Sequence, residues 1–155
     1  MTLNLLEQIG VITSFEDNKI IVNPINEVAA KKLVVESDWS SASYFYSIVA
    51  LSNVGTKIEL SSYKLNSLQG DSVLSTIYKD FGVETVFNNT SITLTKVDSQ
   101  LNNVSYNLAN APDIAQTIAI TCLGLGVSCH LTGLHTLKIK ETDRLAALKA
   151  EIEKF

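Results

Sequence analysis

The sequence predicts an α/β fold made of repeated βαβαββ units, with the helices packed on sheets. Apolar helical segments alternate with short strand-like runs. Glycines recur at matching places: Gly10 and Gly82 lie 72 residues apart, and Gly55 and Gly126 lie 71 apart. The segments around these glycines also repeat the same order of elements. We therefore expect one complete unit over about residues 33–96 and a truncated unit on each side of it.

The first segment, TLNLLEQIGVITSFEDNKIIVN (2–23), reads as an amphipathic helix that ends at Gly10 and is followed by two strands. Glycine is the usual residue just after a helix, because it adopts a left-handed backbone at little cost. The polar EDNK supplies a turn between VITSF and IIVN. This segment is expected to be the tail of a unit.

The remaining segments follow in order. Residues 41–62 and 113–134 each read as an apolar helix, a glycine and a strand, and a helix apolar all round is expected to be buried. Residues 73–96 repeat the plan of the first segment, with an Asn-Asn turn. A third copy of that helix begins at 145–155. Both ends of the chain cut through a unit, which predicts a piece of a longer protein.

The composition narrows the classes of function. A hydrophobic fraction of 46% predicts a well-packed globular protein, and a net charge of −4 disfavours non-specific nucleic-acid binding. The N-terminus lacks the pattern of a signal peptide, and no run reaches the roughly 18 apolar residues of a membrane span. We therefore expect a cytoplasmic protein with no membrane partner.

The two cysteines and two histidines do not indicate a metal centre. Cys122, Cys129 and His130 are too few for a zinc site, which needs about four ligands, and we expect both cysteines to be buried, reduced thiols. His130 lies in a predicted strand and is interpreted as structural. His135 leads into a charged turn and could support a neighbouring site. No metal is expected.

The charged stretch KIKETDRLAAL (138–148) is the first candidate site. With a helix start near Glu141 or Thr142, Glu141 and Arg144 can pair at i,i+3, whereas Lys140 and Arg144 repel at i,i+4 unless an anion lies between them. Cations at a helix N-terminus also oppose the helix dipole. The pattern favours an anion pocket with Glu141 placed to handle a proton; the alternative is an ordinary exposed first turn.

The matching stretch of the preceding unit, NSLQGDSVL (66–74), carries neutral residues where the later one has Lys, Glu and Arg. There Asp71 is expected to be an N-cap. Because the scaffold does without those charges in one copy, their presence in the other favours a function.

Two further stretches open apolar helices. In NAPDIAQTIAI, Pro112 suits a first helical turn, and Asp113 is either a residue favourable to the helix dipole or a base projected into a cleft. In VESDWSSASYF the polar residues are interpreted as an N-cap cluster, and Trp39 as an interface residue or a lid on the core. The cluster is Asp38, Ser40, Ser41 and Ser43.

Together TLNLLEQIGV, ESDWSSASYF, LQGD, APDIAQTIA and LKIKETDRLAAL resemble the 3-phosphoshikimate 1-carboxyvinyltransferase (EPSP synthase) family over nearly the whole chain. The resemblance implies repeated units of the enolpyruvyl transferase (inverse α/β barrel) type, in two lobes of three units with the active site between them. Residues 1–36 would be the tail of the last unit of one lobe. Residues 37–155 would be part of the second lobe.

The resemblance also implies a reaction and its residues. The enolpyruvyl group of phosphoenolpyruvate passes to the 5-hydroxyl of shikimate 3-phosphate through a tetrahedral intermediate, without metal or organic cofactor. Asp113 would contact the shikimate hydroxyls and act as base, and Glu141 would handle the proton at the phosphoenolpyruvate methylene. Lys140 would contact shikimate 3-phosphate and Arg144 phosphoenolpyruvate. Thr136 stands where some members have a substrate-binding asparagine.

Several motifs of that family are absent from this sequence, and with them most of the lysine and arginine residues that bind phosphate in the family. We therefore expect the 155-residue chain alone to be inactive and to bind substrates weakly. Members are usually monomeric, but the cut units could self-associate through exposed strand edges. Two alternatives stay open: a stand-alone anion-binding or regulatory module on the same scaffold, and a fragment of another enolpyruvyl transferase.

Overall fold

A computed structural model describes residues 1–28 and 30–155, which form two compact units, Met1–Val35 and Glu36–Phe155. The helices are α1 (Thr2–Gln8), α2 (Trp39–Ala50), α3 (Leu74–Ile77), α4 (Ala115–Leu125) and α5 (Arg144–Ile152). The strands are β1 (Thr13–Glu16), β2 (Lys19–Val22), β3 (Lys57–Ser61), β4 (Val83–Phe87), β5 (Ser91–Lys96), β6 (Val104–Asn107) and β7 (Cys129–Thr132). Short 3₁₀ turns cover Gly70–Val73, Tyr78–Phe81, Pro112–Ile114 and His135–Ile139.

The first unit has the predicted order of helix, glycine and two strands. Helix α1 is followed by Gly10 at φ 92°, and β1 and β2 form an antiparallel hairpin in which Thr13 pairs with Val22. Asp17 takes a positive φ of 52° in the tight turn, a position that aspartate tolerates better than most residues. The helix–glycine–hairpin prediction is confirmed.

The second unit contains a three-stranded sheet in the order β3-β5-β4, in which β5 is antiparallel to both neighbours. The predicted polar turn connects β4 to β5. Alternate residues of β5 are buried: Ile92 and Leu94 are fully buried, as the period of two in a strand requires. This face is covered by helix α2, by helix α3 and by the two 3₁₀ turns on either side of α3. The mixed α/β class is confirmed.

The last part of the chain forms a β–α–β arrangement. Strands β6 and β7 pair in parallel, with Val104 opposite Cys129, and α4 connects them. A parallel pair needs such a crossover, because its two strands run in the same direction. Helix α4 ends at Gly126 in the left-handed conformation, φ 69°, as predicted.

Helices α2 and α4 lie side by side, parallel and in register. The Ser43 Oγ and Thr117 Oγ1 atoms are 2.9 Å apart, and Thr121 Oγ1 donates to Ser47 Oγ at 2.8 Å. Both pairs join residues separated by the same 74 positions, which requires the two helices to run in the same direction. Their N-terminal ends therefore meet at one end of the unit, and this end carries the candidate site.

The core lies between these helices and the three-stranded sheet. Trp39 packs edge-on against Tyr63 with ring centroids 5.0 Å apart, and Tyr46 contacts Tyr78 at 5.2 Å. The largest fully buried side chains are Trp39, Tyr46, Tyr78, Phe81, Leu74, Ile92, Leu94, Ile114, Ile118 and Leu137. Trp39 is thus a core residue, the second of the two interpretations given to it.

The strand expected to open the complete unit near residues 33–36 is absent from the structure, where residues 30–38 contain no strand. The Ser37 N–H donates to the carbonyl oxygen of Ser62 at 2.7 Å, and side-chain hydrogen bonds add to this backbone contact. The Glu36 carboxylate accepts from the backbone N–H of Lys64 at 3.0 Å, from Ser67 Oγ at 2.8 Å and from Trp39 Nε1 at 3.0 Å. The prediction of a complete unit is wrong at this strand.

Candidate active site

The site forms where the N-terminal ends of α2 and α4 meet the loop that precedes α5. The turn Pro112–Ile114 presents Asp113, and residues 140–144 bring two cations and a carboxylate to it. The structure thus brings together Asp113, Lys140, Glu141 and Arg144, which the sequence had singled out in two stretches 27 to 31 residues apart.

Asp113 is the anion that lies between Lys140 and Arg144. Its Oδ1 is 3.1 Å from Lys140 Nζ and 3.1 Å from Arg144 Nη1, and its side chain is 35% exposed. The two cations would otherwise repel each other, and a shared carboxylate removes that repulsion. The Asp113 carboxylate therefore partly neutralises the charges of Lys140 and Arg144, and an incoming anion would compete with Asp113 for both cations.

Glu141 and Arg144 form the predicted i,i+3 pair. Arg144 donates from Nε to Glu141 Oε1 at 2.8 Å and from Nη2 to Oε2 at 2.9 Å, a two-pronged arrangement that suits a planar guanidinium and a carboxylate. The hydrogen bonds from Arg144 lower the pKa of the Glu141 carboxyl, so this carboxyl is ionised at neutral pH. It would accept a proton more readily than donate one in this arrangement.

The predicted start of the last helix is wrong by two or three residues. Helix α5 begins at Arg144, and Asp143 is its N-cap. The Asp143 carboxylate accepts hydrogen bonds from the backbone N–H groups of Leu145 and Ala146, both at 3.1 Å. A capping carboxylate satisfies the donors that end a helix, so these amides are not available to a ligand, and the anion site rests on side chains.

Thr136, the last predicted substrate contact, lies in the 3₁₀ turn before Lys140. Its Oγ1 is buried and has no hydrogen-bond partner among the described residues. A buried hydroxyl without a partner is costly and fits a group that meets a ligand. Its role stays a prediction.

A cavity of about 510 Å³ opens beside these charges. Sequence reasoning missed four polar residues that line it: Tyr44, Ser47, Gln116 and Thr117. Helical spacing could have found Tyr44 and Gln116, because Tyr44 follows Ser40 by one turn and Gln116 follows Asp113 by three residues. The lining comprises Tyr44, Ser47, Ile48, Asp113, Gln116, Thr117, Ile120, Glu141 and Arg144.

The serine-rich stretch is a capping cluster only in part. Asp38 caps α2, accepting from the Ser40 N–H at 2.9 Å and from Ser41 Oγ at 2.8 Å, as predicted. Ser40 Oγ, however, donates to Asp71, and Ser43 bonds across to α4. The prediction that Asp71 is an N-cap is therefore wrong: its side chain turns inward to Ser40.

The cysteines and histidines take no part in the cluster. Cys122 is buried but Cys129 only partly so, which corrects the expectation that both are buried; Cys129 nevertheless packs against the core, and the exposed residues of β7 are His130 and Thr132. Both thiols are free, and His130 lies in a strand as expected, on its exposed face. Among the described residues, no group of three acidic, histidine or cysteine side chains could hold a metal ion.

Comparison with known proteins places these observations in a family. The family model for EPSP synthase (3-phosphoshikimate 1-carboxyvinyltransferase) matches residues 1–155. A 3-phosphoshikimate 1-carboxyvinyltransferase of Bacteroides fragilis strain YCH46 is 41% identical over 156 residues, which cover 100% of this chain and 38% of the relative. One from Aliivibrio salmonicida strain LFI1238 is 30% identical and covers 99% and 36%.

A solved structure of EPSP synthase from Acinetobacter baumannii has the same fold. It superposes with a TM-score of 0.75 at 21% identity and covers 96% of this chain and 35% of that one. The chain thus spans little more than a third of the length of its relatives. Within residues 1–28 and 30–155, none of the helices has the length and apolar character that a membrane crossing requires.

Proposed function

The chain belongs to the EPSP synthase family, and we propose that it carries part of the active site of an enolpyruvyl transferase. The proposed reaction moves the enolpyruvyl group of phosphoenolpyruvate to the 5-hydroxyl of shikimate 3-phosphate and releases phosphate. The observation that carries the proposal is the cluster in which Lys140 and Arg144 share the Asp113 carboxylate next to the Glu141–Arg144 pair. Such a cluster offers cations to phosphate and carboxylate groups, and carboxylates to protons.

In the addition step, the 5-hydroxyl oxygen attacks C2 of phosphoenolpyruvate and gives up its proton to Asp113, while C3 takes a proton from Glu141, which is protonated once Arg144 has moved to the ligand. We assign Asp113 the role of base toward the 5-hydroxyl, because its carboxylate lies in the turn before α4 and lines the cavity. The substrate phosphate draws Lys140 away from Asp113, which frees the Asp113 oxygen to accept the hydroxyl proton. Binding and base activation are thereby linked.

In the elimination step, a proton leaves the methyl group and the phosphate departs, which restores the enol double bond. Glu141 suits the acceptor role, because it is a carboxylate after it has given its proton to C3. Arg144 binds phosphoenolpyruvate in this scheme and so moves to the ligand from Glu141, its partner in the ligand-free chain. Thr136 would form a hydrogen bond to shikimate 3-phosphate through its unpartnered hydroxyl.

The wider organisation belongs to the same proposal. Residues 1–36 form the tail of one lobe and residues 37–155 part of the other, in an inverse α/β barrel architecture. The enzyme is cytoplasmic, like its phosphorylated substrates. The 155-residue chain alone turns over no substrate, because the other cations that hold the phosphates come from outside it.

A chimera tests this function. The matching segment of the Bacteroides fragilis relative is replaced by this chain, and phosphate release is measured with both substrates. We expect turnover by the chimera and a loss of at least about 100-fold in kcat for Asp113→Asn and for Glu141→Gln. The matched control is Glu153→Gln, which breaks an i,i+4 pair with Lys149 on the exposed face of α5 and should leave kcat unchanged.

An inactive chimera that folds and binds shikimate 3-phosphate would argue against an enzymatic role for this segment. That outcome would favour the alternative of an anion-binding or regulatory module. Turnover by the isolated 155-residue chain would instead refute the expectation that it is inactive. Light scattering of the isolated chain gives its mass and tests the expected self-association.

A further inference from the structure

Gln116 is a polar side chain of the cavity to which the proposed reaction gives no role. It lies in the first turn of α4, three residues after Asp113, and it lines the cavity together with Asp113, Glu141 and Arg144. Its side-chain amide makes no hydrogen bond to any residue that the structure describes. A half-buried amide with two donor hydrogens and an acceptor oxygen to spare is available to a ligand.

The other neutral polar side chains that line the cavity differ from Gln116. Two of them, Thr117 and Ser47, form hydrogen bonds across to the facing helix at 2.9 Å and 2.8 Å and so serve the contact between α2 and α4. The third, Tyr44, is 65% exposed and belongs to α2. Gln116 is thus the neutral polar residue of the cavity that is both unpaired and on the same stretch of chain as Asp113.

The start of α2 shows how the same spacing serves a helix cap. Asp38 caps that helix, and Ser41, three residues later, donates to the Asp38 carboxylate at 2.8 Å. At the start of α4 the same spacing separates Asp113 from Gln116, but no side chain caps α4 or the turn before it, and Asp113 pairs with cations instead. A helix start that served stability alone would use its aspartate as a cap, so both side chains are free for another purpose.

We propose that Gln116 is a specificity-determining residue that forms a hydrogen bond with the 4-hydroxyl of shikimate 3-phosphate. The proposal rests on the function proposed above, in which Asp113 takes the proton of the 5-hydroxyl and Lys140 binds the 3-phosphate. The 4-hydroxyl stands on the ring carbon between these two groups, so it comes close to the Asp113 side chain. Gln116 follows Asp113 by three residues, and its neutral amide matches a hydroxyl, which both donates and accepts.

The proposed hydrogen bond has one partner on the protein and one on the substrate, and each can be removed separately. A 4-deoxy substrate leaves the amide unpaired, and Gln116→Met leaves the hydroxyl unpaired. Methionine has nearly the same length as glutamine and a similar helix propensity, so this variant removes the hydrogen bond and little else. If the two groups interact, both changes together should lower kcat/KM less than the product of their separate effects.

The experiment measures phosphate release by the chimera with shikimate 3-phosphate and with its 4-deoxy analogue. The ratio of the two kcat/KM values gives the preference for the natural substrate. We expect Gln116→Met to lower this preference about threefold to tenfold, as the loss of one neutral hydrogen bond does. The matched control, Gln100→Met, changes an exposed glutamine that does not line this cavity and should keep the preference of the parent chimera.

The outcomes separate the two proposals. If the parent chimera turns over and Gln116→Met keeps its preference, the role of Gln116 is overturned and the proposed function stands. An equal fall in kcat/KM for both substrates would show a purely structural role and overturns the proposal as well.

A parent chimera that binds both ligands without turnover counts against the proposed function. The ratio of the two dissociation constants, measured by calorimetry, then decides on Gln116 by the same criterion, and a chimera that binds neither ligand overturns both proposals. If Gln116→Met does not fold, Gln116→Ala takes its place, because alanine is the best helix former, and it must show the same fall in preference.

Discussion

Replacing Gly70 by alanine should separate the turn that carries Asp71 from the backbone that leads to Asp113. The added Cβ would stand 2.1 Å from the Asn110 carbonyl oxygen, and real contacts of this kind are essentially never shorter than 3.0 Å. The two backbones must therefore move apart by about 1 Å, and neither atom is the end of a flexible side chain. The packing that links the Asp71 turn to the Asp113 turn is lost.

The expected cost follows from two opposing terms. Forcing an extra methyl group into a packed site costs about 1–3 kcal/mol. Alanine also restricts the unfolded chain more than glycine does, which returns about 0.4–1 kcal/mol. We therefore expect Gly70→Ala to lower the free energy of unfolding by about 1–2 kcal/mol, measured by urea denaturation of the 155-residue chain.

Gly55→Ala is the matched control. Gly55 has nothing within 4 Å of an added Cβ but takes φ +92°, so alanine there costs about 1–2 kcal/mol through backbone strain alone. The two variants should thus be destabilised alike. Only Gly70→Ala should disturb the NMR signals of Asp71 and Asp113. Unchanged stability and unchanged signals in Gly70→Ala would refute the close packing of the two turns.

Three further predictions concern α5, the buried hydroxyls and the pH dependence of stability. Asp143→Ala should cost about 1 kcal/mol of unfolding free energy through loss of the N-cap while Asp143→Asn costs little, and equal losses in urea denaturation would contradict the cap. Thr121→Val should lower the free energy of unfolding by about 1–3 kcal/mol, because it leaves the buried hydroxyls of Tyr78 and Ser47 without this partner. Thr121→Ser keeps the hydroxyl and should retain most of that stability. Full stability of the valine variant would count against the network. The raised pKa of Asp71 means that the folded state binds its proton more tightly than the unfolded state does, so its burial lowers stability as the pH rises from the unfolded pKa through the folded one. At pH 7, Asp71→Asn should therefore unfold at the same or a higher urea concentration than the parent, and a large loss would show that the buried charge is stabilising.

The local elements of the fold were predictable because their signals lie close together in the sequence. A glycine that must take a positive φ marks the end of a helix wherever the pattern is repeated, and Gly10, Gly82 and Gly126 all do so here. The strand expected near residues 33–36 did not form, although β3 is an edge strand and has one side open for pairing. Whether a segment joins a sheet depends on contacts about 30 residues away in the chain, such as those of Glu36 with Lys64 and Ser67, which the local sequence does not specify.

The sequence by itself singled out the charged side chains of the candidate site. Lys140, Glu141 and Arg144 are charged where the equivalent stretch of the preceding unit carries neutral residues. The three-residue spacing predicted the pairing of Glu141 with Arg144, although Glu141 lies before the first residue of α5. Only the tertiary structure decided what these charges meet. Packing α2 and α4 in parallel brings distant turns together, so that Asp113 lies between the two cations. The buried Asp71 carboxylate accepts a hydrogen bond from Ser40 instead of capping a helix. Local spacing cannot specify this arrangement, because it depends on how two buried helices align.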